Sequence, residues 1–304
     1  MPLVIWGRRR SSRVSRPGLV LACLLGVSLS VPNAARADEY QLFLAATNSD
    51  GTPVVDIRAD EVVVENAGNA CNVIRVQPGT QAIKIALMVD NSDAASDSLN
   101  ALRDGLRSFI ETMPAPHEIG LFSIGGQVRR LVDFTTDKEE LTESSDGIFV
   151  QRNTASKYLD GLLETWDRRF SDEDTWPMFV VVSYDGTEGS SVLERQINQF
   201  ANEVRVRAAT VNVVLVMGHG GALQNNVSLF LTDATGGIYE GLTAATALSN
   251  VLRTLATQIS EHYEQVKNRY RVVFDCDSNP DQLTAGVTRP AVSVSLFSDR
   301  RVGP

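Results

Sequence analysis

Apolar and polar residues in this chain follow two periods, and the changes of period mark its elements. The run Ile83-Lys-Ile-Ala-Leu-Met-Val89 is apolar and β-branched, then stops abruptly on Asp90, Asn91 and Ser92. Such a run, bounded by polar residues, predicts a strand buried on both faces, as in a parallel sheet. Leu99, Leu102, Leu106, Phe109, Ile110 and Met113 follow at helical spacing, and Pro114 and Pro116 end that helix. Glu118 to Ile124 predicts a strand, and Gly125-Gly126 turns it into a second at Val128 to Phe134. The simplest arrangement is a hairpin that sets one antiparallel strand at the sheet edge. Tyr158, Leu159, Leu162, Leu163 and Trp166 mark the next helix, and Met178 to Ser183 the next strand, ending on Tyr184, Asp185 and Gly186. A helix through Leu193, Ile197, Phe200 and Val204, a strand at Val211 to Met217, a short helix at Val227 to Asp233 and a brief strand at Ile238-Tyr239 continue the alternation. Leu248, Leu252, Leu255 and Ile259 mark a long final helix.

This β-α alternation predicts an α/β fold: a doubly wound, mostly parallel, Rossmann-like sheet with one antiparallel edge strand and helices on both faces. It occupies residues 81–266. The flanks read differently. Residues 38–80 hold short strand-like pieces at Tyr40 to Ala46, Glu61 to Glu65 and Asn72 to Val76, separated by the turns Asp50-Gly51 and Asn66-Ala-Gly-Asn69. Residues 267–304 resume that character at Tyr270 to Phe274 and Ala291 to Phe297. Neither arm has strands enough to close a core by itself, so the two are expected to pair as one small β-module.

The first 37 residues change the picture of where the chain acts. Arg8, Arg9, Arg10, Arg13 and Arg16 form a basic segment, Leu19 to Val31 an apolar one, and Ala35-Arg36-Ala37 offers a small-residue cleavage site. This pattern predicts a secretory signal peptide, and a periplasmic or extracellular mature chain. The whole chain has 28 basic and 37 acidic residues, a net charge of −9; losing six arginines with residues 1–37 leaves 22 basic residues and a net charge of −15. Such a chain repels nucleic acid and favours cations or basic surfaces. No later run approaches the ~20 apolar residues of a spanning helix. Two cysteines remain, Cys71 and Cys276. In an oxidising compartment such a pair reads as one disulfide, the alternative being two separately buried thiols.

Two strands that end on carboxylates, Asp90 and Asp185, place oxygen ligands at the carboxyl edge of a sheet, where open α/β folds bind ligands. A hard cation suits such donors, and Ser92 adds a hydroxyl. The alternative is that both acids cap helices or form turns. Met217-Gly-His-Gly-Gly221 has the form of an esterase oxyanion loop, but the chain has no Gly-x-Ser-x-Gly nucleophile elbow, and a glycine-rich surface turn is expected. Glu188 is expected to be solvated.

With these residues, positions 81–266 resemble the von Willebrand factor A (VWA) domain. Asp90-Asn-Ser92-Asp-Ala94 is similar to that family's Asp-x-Ser-x-Ser motif with alanine at its last position, and Asp185-Gly186 to its later Asp-Gly. Asp233-Ala-Thr-Gly-Gly-Ile-Tyr239 is similar to the Thr-Gly-Gly stretch before its last strand. The resemblance implies a metal-ion-dependent adhesion site formed by Asp90, Ser92, Thr154 and Asp185, holding Mg²⁺, or Mn²⁺ or Ca²⁺, whose shell a partner protein's carboxylate completes. It therefore implies a non-catalytic, adhesion-like protein-binding module, with no membrane span in the mature chain. A scaffold whose site has lost its metal is the alternative, and a metal-assisted hydrolase a third reading.

Overall fold

A computed structural model describes residues 39–170, 175–278 and 282–297. The signal-peptide reading of residues 1–37 lies outside them. The described residues form two six-stranded sheets. The first strands are β1 (Tyr40–Asn48), β2 (Val62–Asn66), β3 (Asn69–Pro78) and β4 (Ile83–Val89). Then come α1 (Leu99–Thr112), β5 (Glu118–Ser123), β6 (Arg129–Thr135), α2 (Lys138–Asp146), α3 (Tyr158–Arg169) and β7 (Trp176–Tyr184). The rest are α4 (Glu194–Val206), β8 (Thr210–Val216), α5 (Ala222–Thr235), β9 (Tyr239–Leu242), α6 (Leu248–Val266), β10 (Arg269–Asp275), β11 (Leu283–Val287) and β12 (Val292–Phe297).

One sheet has the order β6-β5-β4-β7-β8-β9. Its neighbours run parallel except β5 and β6, which are antiparallel. Period-2 alternation sorts its residues to two cores. Ile83, Ile85, Leu87 and Val89 pack with Leu102, Leu106 and Phe109 of α1 and Leu252, Leu255 and Ile259 of α6. Ala86 and Met88 face the other way, toward Leu162 and Trp166 of α3 and Ile197, Phe200 and Val204 of α4. Every residue of β7 is buried, which is why the sequence there is a continuous apolar run. Fully burying each such Val or Phe stabilises the fold by roughly 1.5–3 kcal/mol against leaving it exposed.

The second sheet has the order β11-β2-β3-β10-β1-β12 and is antiparallel throughout. Strands from before and after the α/β segment therefore interleave in it. Its outermost strands, β11 and β12, also contact each other, so the sheet curls around one apolar face carrying Leu42, Leu44, Val62, Val64, Val272 and Phe274. Cys71 on β3 and Cys276 just after β10 form a disulfide. The chain as a whole is α/β, with more antiparallel pairing than the strand-helix alternation of residues 81–266 suggests.

Two elements differ from the sequence reading by existence rather than by boundary. α2 is nearly all polar, burying only Leu141 and Ser145, and so lacks an apolar stripe. β11, Leu-Thr-Ala-Gly-Val, is short and carries a glycine. The helix expected at Val227 to Asp233 starts earlier, at Ala222. Gln224, Asn225 and Asn226 interrupt the apolar pattern there and hid that start, and Gly236 ends the helix in the left-handed conformation at φ 71°.

Candidate functional site

β4 and β7 are hydrogen-bonded parallel neighbours, with Val89 opposite Val182. From β4 the chain passes through α1 to β5 on one side of the sheet; from β7 it passes through α4 to β8 on the other. The crevice outside their carboxyl ends is thus the point where the winding reverses, the place where open α/β sheets take up ligands. Asp90 and Asp185 both stand at this crevice, with no strand between their own.

Asp90 extends the parallel ladder by one residue, its amide donating to the Val182 carbonyl at 2.9 Å. The residue is completely buried. Its Oδ1 accepts the Ser92 amide at 2.9 Å and its Oδ2 accepts the Ser183 hydroxyl at 3.1 Å. A carboxylate has about four lone-pair positions, so roughly two remain. Ser92 is 2% exposed. Thr154 is brought alongside by backbone contacts: its carbonyl accepts the Asp93 amide at 3.2 Å, and the Asn153 amide donates to Asp93 Oδ1 at 3.1 Å. The Thr154 hydroxyl donates to the Gln151 carbonyl at 2.6 Å, which leaves its lone pairs free. Gly126, with φ 69°, lies against the Thr154 side chain, where a Cβ would come within 3.0 Å of the Thr154 methyl.

Asp185 belongs to the same edge but turns elsewhere. Its amide donates to Val216 at the end of β8. Its Oδ2 accepts the Gly218 amide at 3.0 Å, and its Oδ1 accepts the His219 amide at 2.6 Å and lies 3.2 Å from His219 Nδ1. Burial pushes this carboxyl up, but the Gly218 and His219 amides outweigh it and hold the group below its usual value. The turn expected at Met217 to Gly221 is therefore an anchor for Asp185. Gly218 and Gly220 adopt φ of 117° and 85°, which frees consecutive amides to point at one acceptor. Its legible signal was a glycine-rich turn following the strand next to the one that ends on Asp185.

Gly186 packs against Ala94, where a Cβ on Gly186 would sit 2.9 Å from the Ala94 methyl. The position at which the resemblance implies a serine thus touches the loop of Asp185. Glu188 is not solvated, as the sequence suggested; it is half-buried. It receives the Ser190 amide at 3.0 Å and the Gln224 side chain at 3.3 Å. Burial raises its pKa against the hydrogen bonds from Ser190 and Leu159, and the charge of Asp90 adds to the rise. Tyr184, next to Asp185, is pushed up to about 12 by burial, while its bond to Ser98 opposes the shift.

The donors gathered at Asp90, Ser92 and Thr154 are all oxygens, the chemistry of a hard cation. Two hydroxyls and one carboxylate with free lone pairs fit such an ion in kind. Asp185 has about one lone-pair position left after Gly218 and His219. Among the described residues no three His, Cys, Asp or Glu side chains form a metal-holding group.

A mostly parallel sheet with one antiparallel edge, and aspartates at the ends of adjacent strands, is what the resemblance to von Willebrand factor A domains implies. No family model matches the chain, and no curated protein matches it. Among solved structures, a von Willebrand factor type A protein from Catenulispora acidiphila is 9% identical, covering 86% of this chain and 70% of its own, with a TM-score of 0.49. The conserved hypothetical protein BatB from Bacteroides thetaiotaomicron is 11% identical over 59% of this chain and 100% of its own, with a TM-score of 0.46. The vWF domain of the type V pili tip protein Mfa5 from Porphyromonas gingivalis is 12% identical over 60% of this chain and 96% of its own, also at 0.46.

Proposed function

We propose that this chain is an exported, non-catalytic protein-binding module of the von Willebrand A type, which recognises its partner through the crevice at Asp90, Ser92, Thr154 and Asp185. The observation that carries this reading is Asp90: a fully buried carboxylate, fixed by Ser92 and Ser183, with free lone pairs at the winding reversal. Mg²⁺ is the cation proposed, with Mn²⁺ or Ca²⁺ as substitutes; when bound it would present an electrophilic position to a partner's carboxylate. Asp90 supplies charge, Ser92 and Thr154 supply neutral oxygens, and Asp185 shapes the rim. The Cys71–Cys276 disulfide supports an oxidising, exported setting. No helix among the described residues is long and apolar enough to cross a membrane.

A metal-free scaffold is the second reading, favoured by the engagement of Asp185 with Gly218 and His219 and by the missing hydroxyl at Ala94. Calorimetric titration with Mg²⁺ separates the two. Binding heat in the wild type that disappears in Asp90→Asn supports the cation site, and silence in both proteins leaves the scaffold. Ala94→Ser is expected to tighten Mg²⁺ by about tenfold if the cation site is real. Turnover on a hydrolase substrate panel, abolished by Asp90→Asn, would overturn the non-catalytic assignment.

A further inference from the structure

Beside the crevice, a groove of about 360 Å³ runs between the start of β6 and the loop that follows α2. Arg129, Arg130 and Leu131 line one side, and Ile148 and Phe149 the other. Two features bear on what it could take up. Phe149 is 60% exposed and Leu131 38%, two apolar side chains left open among the described residues. Among the described residues no carboxylate lines the groove, although residues 38–304 carry fifteen more acids than bases. Among the described residues the Arg129 side chain bonds to the Gln127 side chain, at 3.2 Å; Arg130 pairs with exposed Asp133. Arg152, exposed and one residue beyond the lining Gln151, makes no ion pair or hydrogen bond among the described residues.

The groove is also tied mechanically to the crevice through Asn91, the neighbour of Asp90. Asn91 Oδ1 accepts the Gly125 amide at 2.9 Å, its Nδ2 donates to the Phe149 carbonyl at 2.8 Å, and its own carbonyl accepts the Gln151 amide at 2.7 Å. One residue, through its side chain and its backbone carbonyl, thus holds the loop that carries Phe149 and Arg152.

We infer that this groove is a docking site for an extended acidic segment of a partner protein, one that sets a large apolar side chain against Phe149 and Leu131 and its carboxylates on Arg129, Arg130 and Arg152. Charge complementarity selects the occupant. A local basic patch on an acidic molecule attracts carboxylates while the remaining surface repels them, which favours orientation as well as affinity. The apolar pair supplies the anchor that a purely ionic contact lacks. The inference goes beyond the cation reading and does not need it, since no groove residue is a proposed ligand.

The test uses residues 38–304 and a short fluorescein-labelled peptide of aspartates and glutamates around a central phenylalanine, followed by anisotropy. Binding is expected to be the same in buffer with chelator and in buffer with Mg²⁺. Arg129→Glu combined with Arg130→Glu is expected to weaken it by at least about tenfold, as is Phe149→Ser, which leaves β6 untouched. Circular dichroism checks that each variant is folded. The inference is overturned by no binding, by equal binding of a lysine-for-acid peptide, or by insensitivity to both variants. Loss of binding with chelator would move the peptide to the crevice and overturn the inference. A dimer in sedimentation that Arg129→Glu dissociates would assign the groove to a second copy instead.

Discussion

Asp90 and Asp185 terminate neighbouring strands in near-identical sequence settings, yet they have become different chemical objects. Asp90 lies completely buried, and a backbone amide at its own strand end and a hydroxyl from the adjacent strand hold it. Asp185 is partly exposed, and a loop from β8, farther along the sheet, holds it. The first is fixed with acceptor capacity to spare; the second has nearly used its own up. A carboxylate at a strand end therefore defines a location, while the neighbouring loop decides which way it faces and what it can still bind.

The contrast can be broken most forcefully at the buried member. Asp90→Ala strands the buried Ser92 amide and Ser183 hydroxyl, and each orphaned buried donor costs about 1–3 kcal/mol. Urea unfolding is expected to show a loss of about 2–4 kcal/mol. Next comes the loop that turns Asp185 aside. A Cβ at Gly221 would meet the Asp185 carbonyl oxygen at 2.6 Å and collide with that of Gly186. Gly221→Ala is thus expected to cost about 1–3 kcal/mol through overpacking and to shift the Gly218 and His219 amide resonances.

The exposed member gives a smaller, pH-marked effect. The folded protein holds the Asp185 carboxyl below its unfolded value, so its contribution is fully present above about pH 4 and is lost as pH falls through the folded value. Asp185→Asn should lower stability by about 1 kcal/mol at neutral pH, and the two unfolding curves should converge under acid. An offset that persists at low pH would show that Asp185 acts through packing instead. The smallest effect is expected of His219→Ala, within a few tenths of a kcal/mol, because its ring contact is partly solvated while the backbone amide stays in place.

Local sequence carried much of this architecture. Continuous β-branched runs marked β4, β7 and β8 because both faces of those strands are buried, and the i, i+3, i+4 stripes of α1, α3, α4 and α6 mark single apolar faces. Cys71 and Cys276 were readable as a pair. The elements that escaped were those whose burial is thin: α2 hides two residues, and β11 is stabilised by its pairing with β2 rather than by its own pattern. At the crevice, the positions of Asp90, Ser92, Thr154 and Asp185 were legible, but the capture of Asp185 by Gly218 and His219 was not. That capture depends on which strand lies next to β7, a fact that no local window contains. The groove beside Phe149 escaped for the same reason, since Arg129 and Phe149 lie on different elements.

The disulfide has a mechanical consequence. Residues 72–275, the whole parallel sheet with its crevice, lie between Cys71 and Cys276. If the polypeptide on either flank is pulled, tension that peels β1 and β12 apart must then pass from one sulfur to the other. The intervening residues stay off the load path however hard the flanks are stretched, so an oxidised chain under strain keeps the carboxyl edge of its parallel sheet in shape, and a reduced one does not.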